Sequence, residues 1–318
     1  MKLKFIFFII FYNFCNAQSD SIKLTPRLEL LLNDMKLYKL DSEGETYFHA
    51  GDLYEHSIWT YNALLELFKT NSPYVGTIQL TERQKEVVAF AALLHDVGKA
   101  GRIDLFNHTH PKLRYDIIKN NLGHVSHIAY YYDYRSHPCV GFEYVGKHLF
   151  AQDNNVYKAK DYHLINQETG ILTTFNFIEM YNELGLTLDE QKIIAILIGM
   201  HYEFGILMNN TITIEEFFNS LKKCIQAVDY NNGSINELIL NLALLIGIAD
   251  VKGMIPVEAQ TSPLFPQGIF LEASHAPLKL ENPFIAFGYS CDDGSIPPAV
   301  IAMNTVLSHF YTNELKNI

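Results

Sequence analysis

The stretch Leu94-His95-Asp96-Val97-Gly98-Lys99 lies where a long apolar segment gives way to a glycine turn. The preceding VVAFAALL at residues 87–94 predicts a buried helix. Adjacent side chains on a regular helix point about 100° apart, but at a helix end the backbone can turn both toward one ion. Because an imidazole and a carboxylate together suit a divalent metal such as Mn, Fe, Co, Ni or Zn, the stretch predicts a metal site at the end of this helix.

Most of the remaining chain also has helical periodicity. Thr81 with Gln84, and Thr187 with Glu190, are capping-box pairs that begin two helices. Helices are predicted over residues 26–40, 54–68, 82–95, 140–150, 187–201, 214–228, 236–249 and 299–315. Three segments lack a clear helical pattern. A long irregular surface insertion is predicted over 103–136, and a hairpin or a loop over 151–175. The proline-rich segment 255–297 is predicted to be poorly helical. The pattern predicts an all-α fold in one domain.

The composition is that of a globular protein with a sizeable buried core. The chain has 318 residues, of which 48% are hydrophobic and 19% are charged. Lys and Arg number 24 against 35 Asp and Glu, so the net charge is −11. This balance argues against a broad basic surface for nucleic acid, but it leaves room for an enzyme that acts on a nucleotide. The 13 histidines are a rich supply of metal ligands.

Residues 1–17 have the pattern of a signal peptide. Lys2 and Lys4 precede the apolar run from Phe5 to Tyr12, and small residues near Ala17 suit cleavage. The run is shorter than the ~20 residues that span a bilayer, and no transmembrane segment is expected downstream. We therefore expect a secreted or periplasmic protein; the alternative is a buried N-terminal segment in a cytoplasmic one. The remaining cysteines fit neither a disulfide framework nor a zinc site: Cys139, Cys224 and Cys291.

Three segments together resemble a known superfamily. LLHDVGK at 93–99 resembles the signature of the HD-domain metal-dependent phosphohydrolases, which are all-helical. Residues His49–Ser57, of the form H-x-G-D followed by H-S, are especially similar to the HD domain linked to bacterial tRNA nucleotidyltransferases. Residues Ala249–Gly253 resemble the segment that supplies the closing aspartate. The resemblance implies a helical bundle in a single domain over 18–318, with a metal site within about 47–255.

The resemblance also implies a set of metal ligands. His56, His95, Asp96 and Asp250 would bind one divalent metal, and Asp96 would bridge to a second held by two further histidines, His137 and His201. One or two metals are therefore expected per chain, with Mn, Fe, Co, Ni, Mg and Zn all open. In the irregular insertion, His124 is the main competitor of His137.

Catalytic and substrate-binding roles follow from positions near these ligands. The resemblance gives Asp96 and Lys99 the catalytic roles, and it makes three basic residues the substrate contacts: Lys99, Arg102 and Lys252. A salt bridge on the rim is the alternative for Lys99. His49 could support a ligand or contact substrate, and Asp52 could either orient a ligand histidine or cap a helix.

The leading hypothesis is a phosphohydrolase that uses metal-activated water on a phosphomonoester or phosphodiester, with a nucleotide as the expected small-molecule partner. One alternative is a di-iron oxygenase, because the same ligand order serves such enzymes in the superfamily. Another is a non-catalytic domain that binds a nucleotide. The chain contains no nucleotidyltransferase domain, so tRNA end repair is not implied, and no GYP motif supports hydrolysis of cyclic dinucleotides.

Overall fold

The structure is a computed structural model that describes residues 24–39, 52–69, 79–101, 114–131, 137–150, 157–208, 211–253 and 298–314. The predictions for the signal peptide, His49, Arg102 and the proline-rich 255–297 lie outside the described residues. Of Lys252, only the backbone is described.

The described residues form ten α-helices and five strands. The helices are α1 Pro26–Met35, α2 Leu53–Lys69, α3 Glu82–Leu94, α4 His137–Val145, α5 Phe177–Glu183, α6 Leu188–Met200, α7 Glu203–Met208, α8 Ile214–Ala227, α9 Glu237–Lys252 and α10 Pro298–Glu314. The strands are β1 Tyr38–Lys39, β2 Arg114–Lys119, β3 Val125–Tyr131, β4 His163–Ile165 and β5 Leu172–Thr174. A 3-10 turn, Val97–Lys99, follows α3.

Helix α3 lies at the centre of the bundle and packs against α2, α6 and α9. Every residue from Val87 to Leu94 is buried, so its second half is apolar on all sides, as a central helix requires. Helix α4 packs against α6 and against the 3-10 turn. The chain over 188–208 is long and apolar enough to cross a membrane, but most of it is buried inside the protein, as in a core helix.

The all-α prediction is confirmed, and all eight predicted helices are present with shifted ends. The capping boxes at Thr81 and Thr187 are both formed, and a third occurs at Thr213. Helix α1 ends at Met35, five residues before its predicted end. The periodicity does not predict α5 and α7, because 7 and 6 residues are too few to show it.

The prediction that 103–136 is irregular is wrong for part of that segment. Strands β2 and β3 form an antiparallel hairpin, and β1 pairs with β3 in parallel, in the order β1-β3-β2. The side chain of Asn120 closes the hairpin turn by accepting hydrogen bonds from the backbone N–H groups of Leu122 and His124. The tyrosines and isoleucines of both segments favour strands, a signal that the polar residues around them obscure. For residues 151–175 the sequence predicts a hairpin or a loop, and the structure shows a hairpin formed by the antiparallel strands β4 and β5.

A buried carboxylate joins the N-terminal helix to the second hairpin. Asp34, near the end of α1, is buried and accepts hydrogen bonds from the Tyr162 hydroxyl at 2.6 Å and from the Ile165 N–H at 3.1 Å. Burial raises the pKa of Asp34 to about 6, although both hydrogen bonds act in the opposite direction. Asp34 therefore binds a proton more tightly in the folded chain than in the unfolded one.

Two glycines let the backbones of neighbouring elements approach closely. A Cβ on Gly98 would overlap the carbonyl oxygen of His137 and would lie 2.5 Å from the backbone nitrogen of Gly141. A Cβ on Gly253 would overlap the backbone and hydroxyl of Thr60 in α2. Only residues without a side chain permit these contacts, which bring α4 against the 3-10 turn and the end of α9 against α2.

We predict that Gly98→Ala lowers the free energy of unfolding by about 1–3 kcal/mol, because the new methyl group must displace the start of α4. Gly205→Ala is the control, since a Cβ at Gly205 in α7 would meet no atom within 4 Å. In a helix this second change should be neutral or stabilising by up to about 1 kcal/mol. Urea denaturation measures both variants, and equal stabilities would contradict the predicted overlap.

The raised pKa of Asp34 predicts a pH dependence of stability. Its contribution is fully present below the unfolded pKa near 4 and is lost as the pH rises through about 6. The free energy of unfolding of the wild type minus that of Asp34→Asn should therefore fall by about 2 kcal/mol between pH 4.5 and 7.5. Urea denaturation of both proteins at the two pH values measures this difference, and a constant difference would show that Asp34 does not titrate as described.

Candidate metal centre

Six buried side chains meet where five helices of the bundle begin or end. His56 lies in the first turn of α2, and Asp250 lies near the end of α9. His95 and Asp96 follow α3, and two further histidines occupy the first residue of α4 and the residue after α6: His137 and His201. None of the six residues is more than 8% exposed. The structure thus brings together all six residues that the sequence singles out as candidate metal ligands.

The carboxylate of Asp96 divides the cluster into two halves. Its Oδ2 lies 3.4 Å from Nε2 of His56 and 3.5 Å from Nε2 of His95. Its Oδ1 lies 3.0 Å from Nε2 of His137 and 3.4 Å from Nε2 of His201. We call these the first half and the second half. Asp250 belongs to the first half, with Oδ1 3.1 Å from His56 Nε2 and 3.2 Å from His95 Nε2.

The backbone fixes the tautomer of three of the histidines. Nδ1 of His95 lies 2.8 Å from the carbonyl oxygen of Ala92, and Nδ1 of His201 lies 2.7 Å from that of Ile198. Nδ1 of His56 lies 3.1 Å from another carbonyl oxygen, that of Gly253. A carbonyl oxygen can only accept, so each Nδ1 carries the hydrogen and donates it. In the neutral ring, each Nε2 then bears a lone pair that points into the cluster.

Within the cluster, two pairs of histidine Nε2 atoms face each other. Nε2 of His56 lies 3.0 Å from Nε2 of His95, and Nε2 of His137 lies 3.0 Å from Nε2 of His201. The lone pairs of His56 and His95 would repel unless a proton or a metal ion lay between the two nitrogens. In addition, Oδ1 of Asp96 has no hydrogen-bond partner among the described residues, despite its contact with His137. Buried acceptors that converge in this number fit a bound cation.

The distances also suit a metal. Ligand atoms bound at about 2.1 Å to one ion lie about 3.0–3.4 Å apart in octahedral or tetrahedral geometry. Two sets of ligand atoms in the described chain lie within 4.8 Å of one another, namely His56 with His95 and Asp250, and His95 with Asp96 and His201. A histidine that donates Nδ1–H to a carbonyl while Nε2 binds the ion is a common arrangement in metal sites. The buried cluster is therefore compatible with a divalent metal site.

Both carboxylates are ionised at neutral pH. Burial opposes ionisation of Asp96, but Lys99 and His95 outweigh it and hold the pKa of Asp96 well below its usual range. The charge of His95 has the same effect on the pKa of Asp250, again against burial. The cluster therefore carries two negative charges that attract a cation.

Burial keeps two of the imidazoles neutral, which is the form that binds a metal. It lowers the pKa of His56, and it lowers the pKa of His137 to about 3, where the charge of Lys99 adds to the effect. For His95, burial also opposes the proton, but the carboxylates of Asp96 and Asp250 raise its pKa. A metal that binds to His95 must therefore displace a proton that this pocket favours.

Lys99 lies inside the cluster. Its Nζ is 2.5 Å from Oδ2 of Asp96, the oxygen that faces the first half, and the residue is only 5% exposed. The sequence leaves open a salt bridge of Lys99 on the rim of the site. The structure instead shows a buried ion pair between Lys99 and Asp96. Its positive charge offsets one of the two carboxylates before any metal binds.

The other described residues that the sequence suggested for the site are not among the clustered side chains. His124 lies in the turn between β2 and β3, outside the cluster. Asp52 caps α2: its Oδ1 accepts the Glu55 N–H at 2.9 Å, while Oε2 of Glu55 accepts the Asp52 N–H at 3.0 Å. The sequence reasoning missed Tyr202, whose ring packs edge-on against His137 with centroids 5.9 Å apart. Its position directly after His201 is the only sequence signal for it.

We predict that the chelator-treated protein gains thermal stability when Mn²⁺ or Zn²⁺ is added, by about 2.7 kcal/mol at a metal concentration of 100 times the dissociation constant. His95→Ala should reduce the gain, because it removes a ligand of the first half, while His124→Ala should keep it in full. Because the pKa of His95 is raised, the gain should be larger at pH 8 than at pH 6. Thermal denaturation with and without metal measures it, and an undiminished gain in His95→Ala would contradict the site.

The comparison with known proteins gives one match. The family model of the HD domain matches residues 53–252, which is well over half of the chain and contains all six clustered residues. No curated protein and no solved structure matches the chain significantly. The superfamily consists mostly of metal-dependent hydrolases, and the buried cluster of histidine and aspartate side chains is compatible with a divalent metal site. On this match, the chain belongs to the HD domain family.

Proposed function

We propose that the protein is a metal-dependent phosphohydrolase that cleaves a phosphomonoester or phosphodiester with water. The observation that carries this proposal is the pairing of Nε2 atoms at 3.0 Å on both sides of one carboxylate. His56, His95, Asp250 and Oδ2 of Asp96 would hold a first divalent metal, and Oδ1 of Asp96 would hold a second with two further histidines, His137 and His201. A centre of this kind suits displacement at phosphorus, where charge develops on both the attacking and the leaving oxygen.

The residues of the chain have distinct roles in this proposal. A divalent metal bound by these residues would supply Lewis acidity and would make a bound water molecule more acidic. Asp96 fixes the spacing of the two halves, since one rigid carboxylate contacts both. The carbonyls of Ala92, Ile198 and Gly253 orient three imidazoles, so that the ligand nitrogens need not reorganise during the reaction. Lys99 adds a buried positive charge where negative charge develops on the phosphoryl group.

We propose a nucleotide as the substrate class. Lys99, Arg102 and Lys252 are the basic residues near the centre in the sequence, and they are offered as phosphate contacts. The likeness of His49–Ser57 to the HD domain linked to tRNA nucleotidyltransferases supports a nucleotide over other phosphoesters. The net charge of −11 favours a small substrate over a long nucleic acid. The signal-peptide pattern at residues 1–17 supports the further proposal that the enzyme acts outside the cytoplasm.

The test is hydrolysis of a panel of mononucleotides, cyclic nucleotides and aryl phosphates in the presence of Mn²⁺, Co²⁺, Ni²⁺ or Mg²⁺. We expect at least one class of phosphoester to be cleaved. Asp96→Asn should lower kcat by at least about 100-fold, because an amide cannot supply two anionic oxygens to the two halves. His124→Ala is the matched control and should retain activity.

Two results would contradict the proposal. If the protein binds metal but hydrolyses no phosphoester of the panel with any of the metals, it is not a phosphohydrolase. Oxygen consumption that requires iron would instead favour the di-iron oxygenase, whereas full activity with redox-inert Mg²⁺ or Zn²⁺ would exclude it.

A further inference from the structure

The turn that carries Asp96 is held at its far end by a tyrosine from outside the family region. Within the turn, Lys99 N–H donates to the carbonyl of Asp96 at 2.8 Å, and Ala100 N–H donates to the carbonyl of Val97 at 3.1 Å. The next N–H, that of Gly101, leaves the turn and donates to the hydroxyl oxygen of Tyr38 at 2.9 Å. Gly101 is buried, so this hydroxyl is the acceptor that its N–H requires.

A second tyrosine packs against the same glycine. Gly101 has a positive φ of 67°, and a Cβ there would lie 2.6–2.9 Å from ring atoms of Tyr162. The ring cannot move away freely, because the Tyr162 hydroxyl donates to Asp34 at 2.6 Å. Tyr38 and Tyr162 are each 1% exposed. The end of the turn is therefore enclosed between two fixed phenol groups.

Tyr38 is itself anchored by backbone pairing. It lies in β1 opposite Ile128 of β3, and the N–H of Ile128 donates to the carbonyl of Leu37 at 2.7 Å. Both Asp34 and Tyr38 precede residue 53, where the family match begins. The support of the turn is thus a feature of this chain that the family match does not cover.

We propose that Tyr38 is a positioning residue for the metal centre: through the N–H of Gly101 it fixes the turn that orients Asp96 and Lys99. Gly98 locates the middle of the turn against α4, and Tyr38 locates its end. Loss of the hydroxyl would leave a buried N–H without its acceptor, which is unfavourable unless the turn shifts toward another partner. Such a shift would move the carboxylate of Asp96, on whose two oxygens both halves depend. The inference rests on the proposed metal site, so its test measures metal binding directly.

The experiment compares Tyr38→Phe with Tyr181→Phe in the full-length protein. Tyr181 is equally buried, and its hydroxyl donates to the carbonyl of Val145 at 3.4 Å, away from the turn. Both variants therefore lose one buried hydroxyl that bonds to the backbone. The dissociation constant for Mn²⁺ or Zn²⁺ is measured by chelator competition at a temperature where both variants are folded by circular dichroism.

We expect Tyr38→Phe to weaken metal binding about tenfold, as is typical when a group that orients a ligand is removed, and Tyr181→Phe to bind as the wild type does. Equal binding by Tyr38→Phe and the wild type would overturn the inference, as would equal weakening in both variants. If Tyr38→Phe does not fold under these conditions, the measurement is repeated on all three proteins in a stabilising osmolyte such as sucrose, where equal binding by Tyr38→Phe and the wild type would again overturn the inference. Metal binding without hydrolysis by the wild type would contradict the proposed function and leave this inference standing.

Discussion

The carboxylate of Asp96 is the element on which the rest of the site depends. It is 1% exposed, and each of its oxygens faces a pair of histidine nitrogens. Burying so many acceptors together is unfavourable unless a cation compensates them, because each has been removed from water. Lys99 supplies one positive charge, and the two pairs of inward-facing histidine nitrogens are able to bind a further cation. A bound divalent metal would turn a destabilising arrangement of lone pairs into a source of stability.

The fold is built so that helix ends, rather than helix faces, meet at this carboxylate. Helix α3 is buried on all sides over its second half and delivers His95 and Asp96 to the interior. Gly98 and Gly253 let α4 and α2 come within contact of the backbones that carry the ligands. The same glycine that allows the close approach of α9 also accepts the Nδ1–H of His56 through its carbonyl. Packing and the orientation of ligands are thus achieved by the same contacts.

The sequence predicts the parts of the structure that are encoded locally. A capping box, an apolar run and a glycine turn are enough to place the end of α3, and the family resemblance then supplies the six clustered residues. The hairpin β2–β3 is missed because its strands are stabilised by pairing rather than by periodicity. The contact of Tyr162 with Asp34 joins residues 128 positions apart, and that of Gly101 with Tyr38 joins residues 63 apart. No local pattern encodes such contacts, so the support of the turn emerges only from the structure.

In the proposed metal centre, Asp96 separates two metal sites. Elemental analysis of the purified protein, with His137→Ala and His201→Ala beside the wild type and His124→Ala as the control, tests this separation most directly. About two metals per chain in the wild type and the control, falling to about one in the two second-half variants, is the result that this geometry predicts. One metal per chain, unchanged in both variants, would contradict it and would confine the metal centre to His56, His95, Asp96 and Asp250.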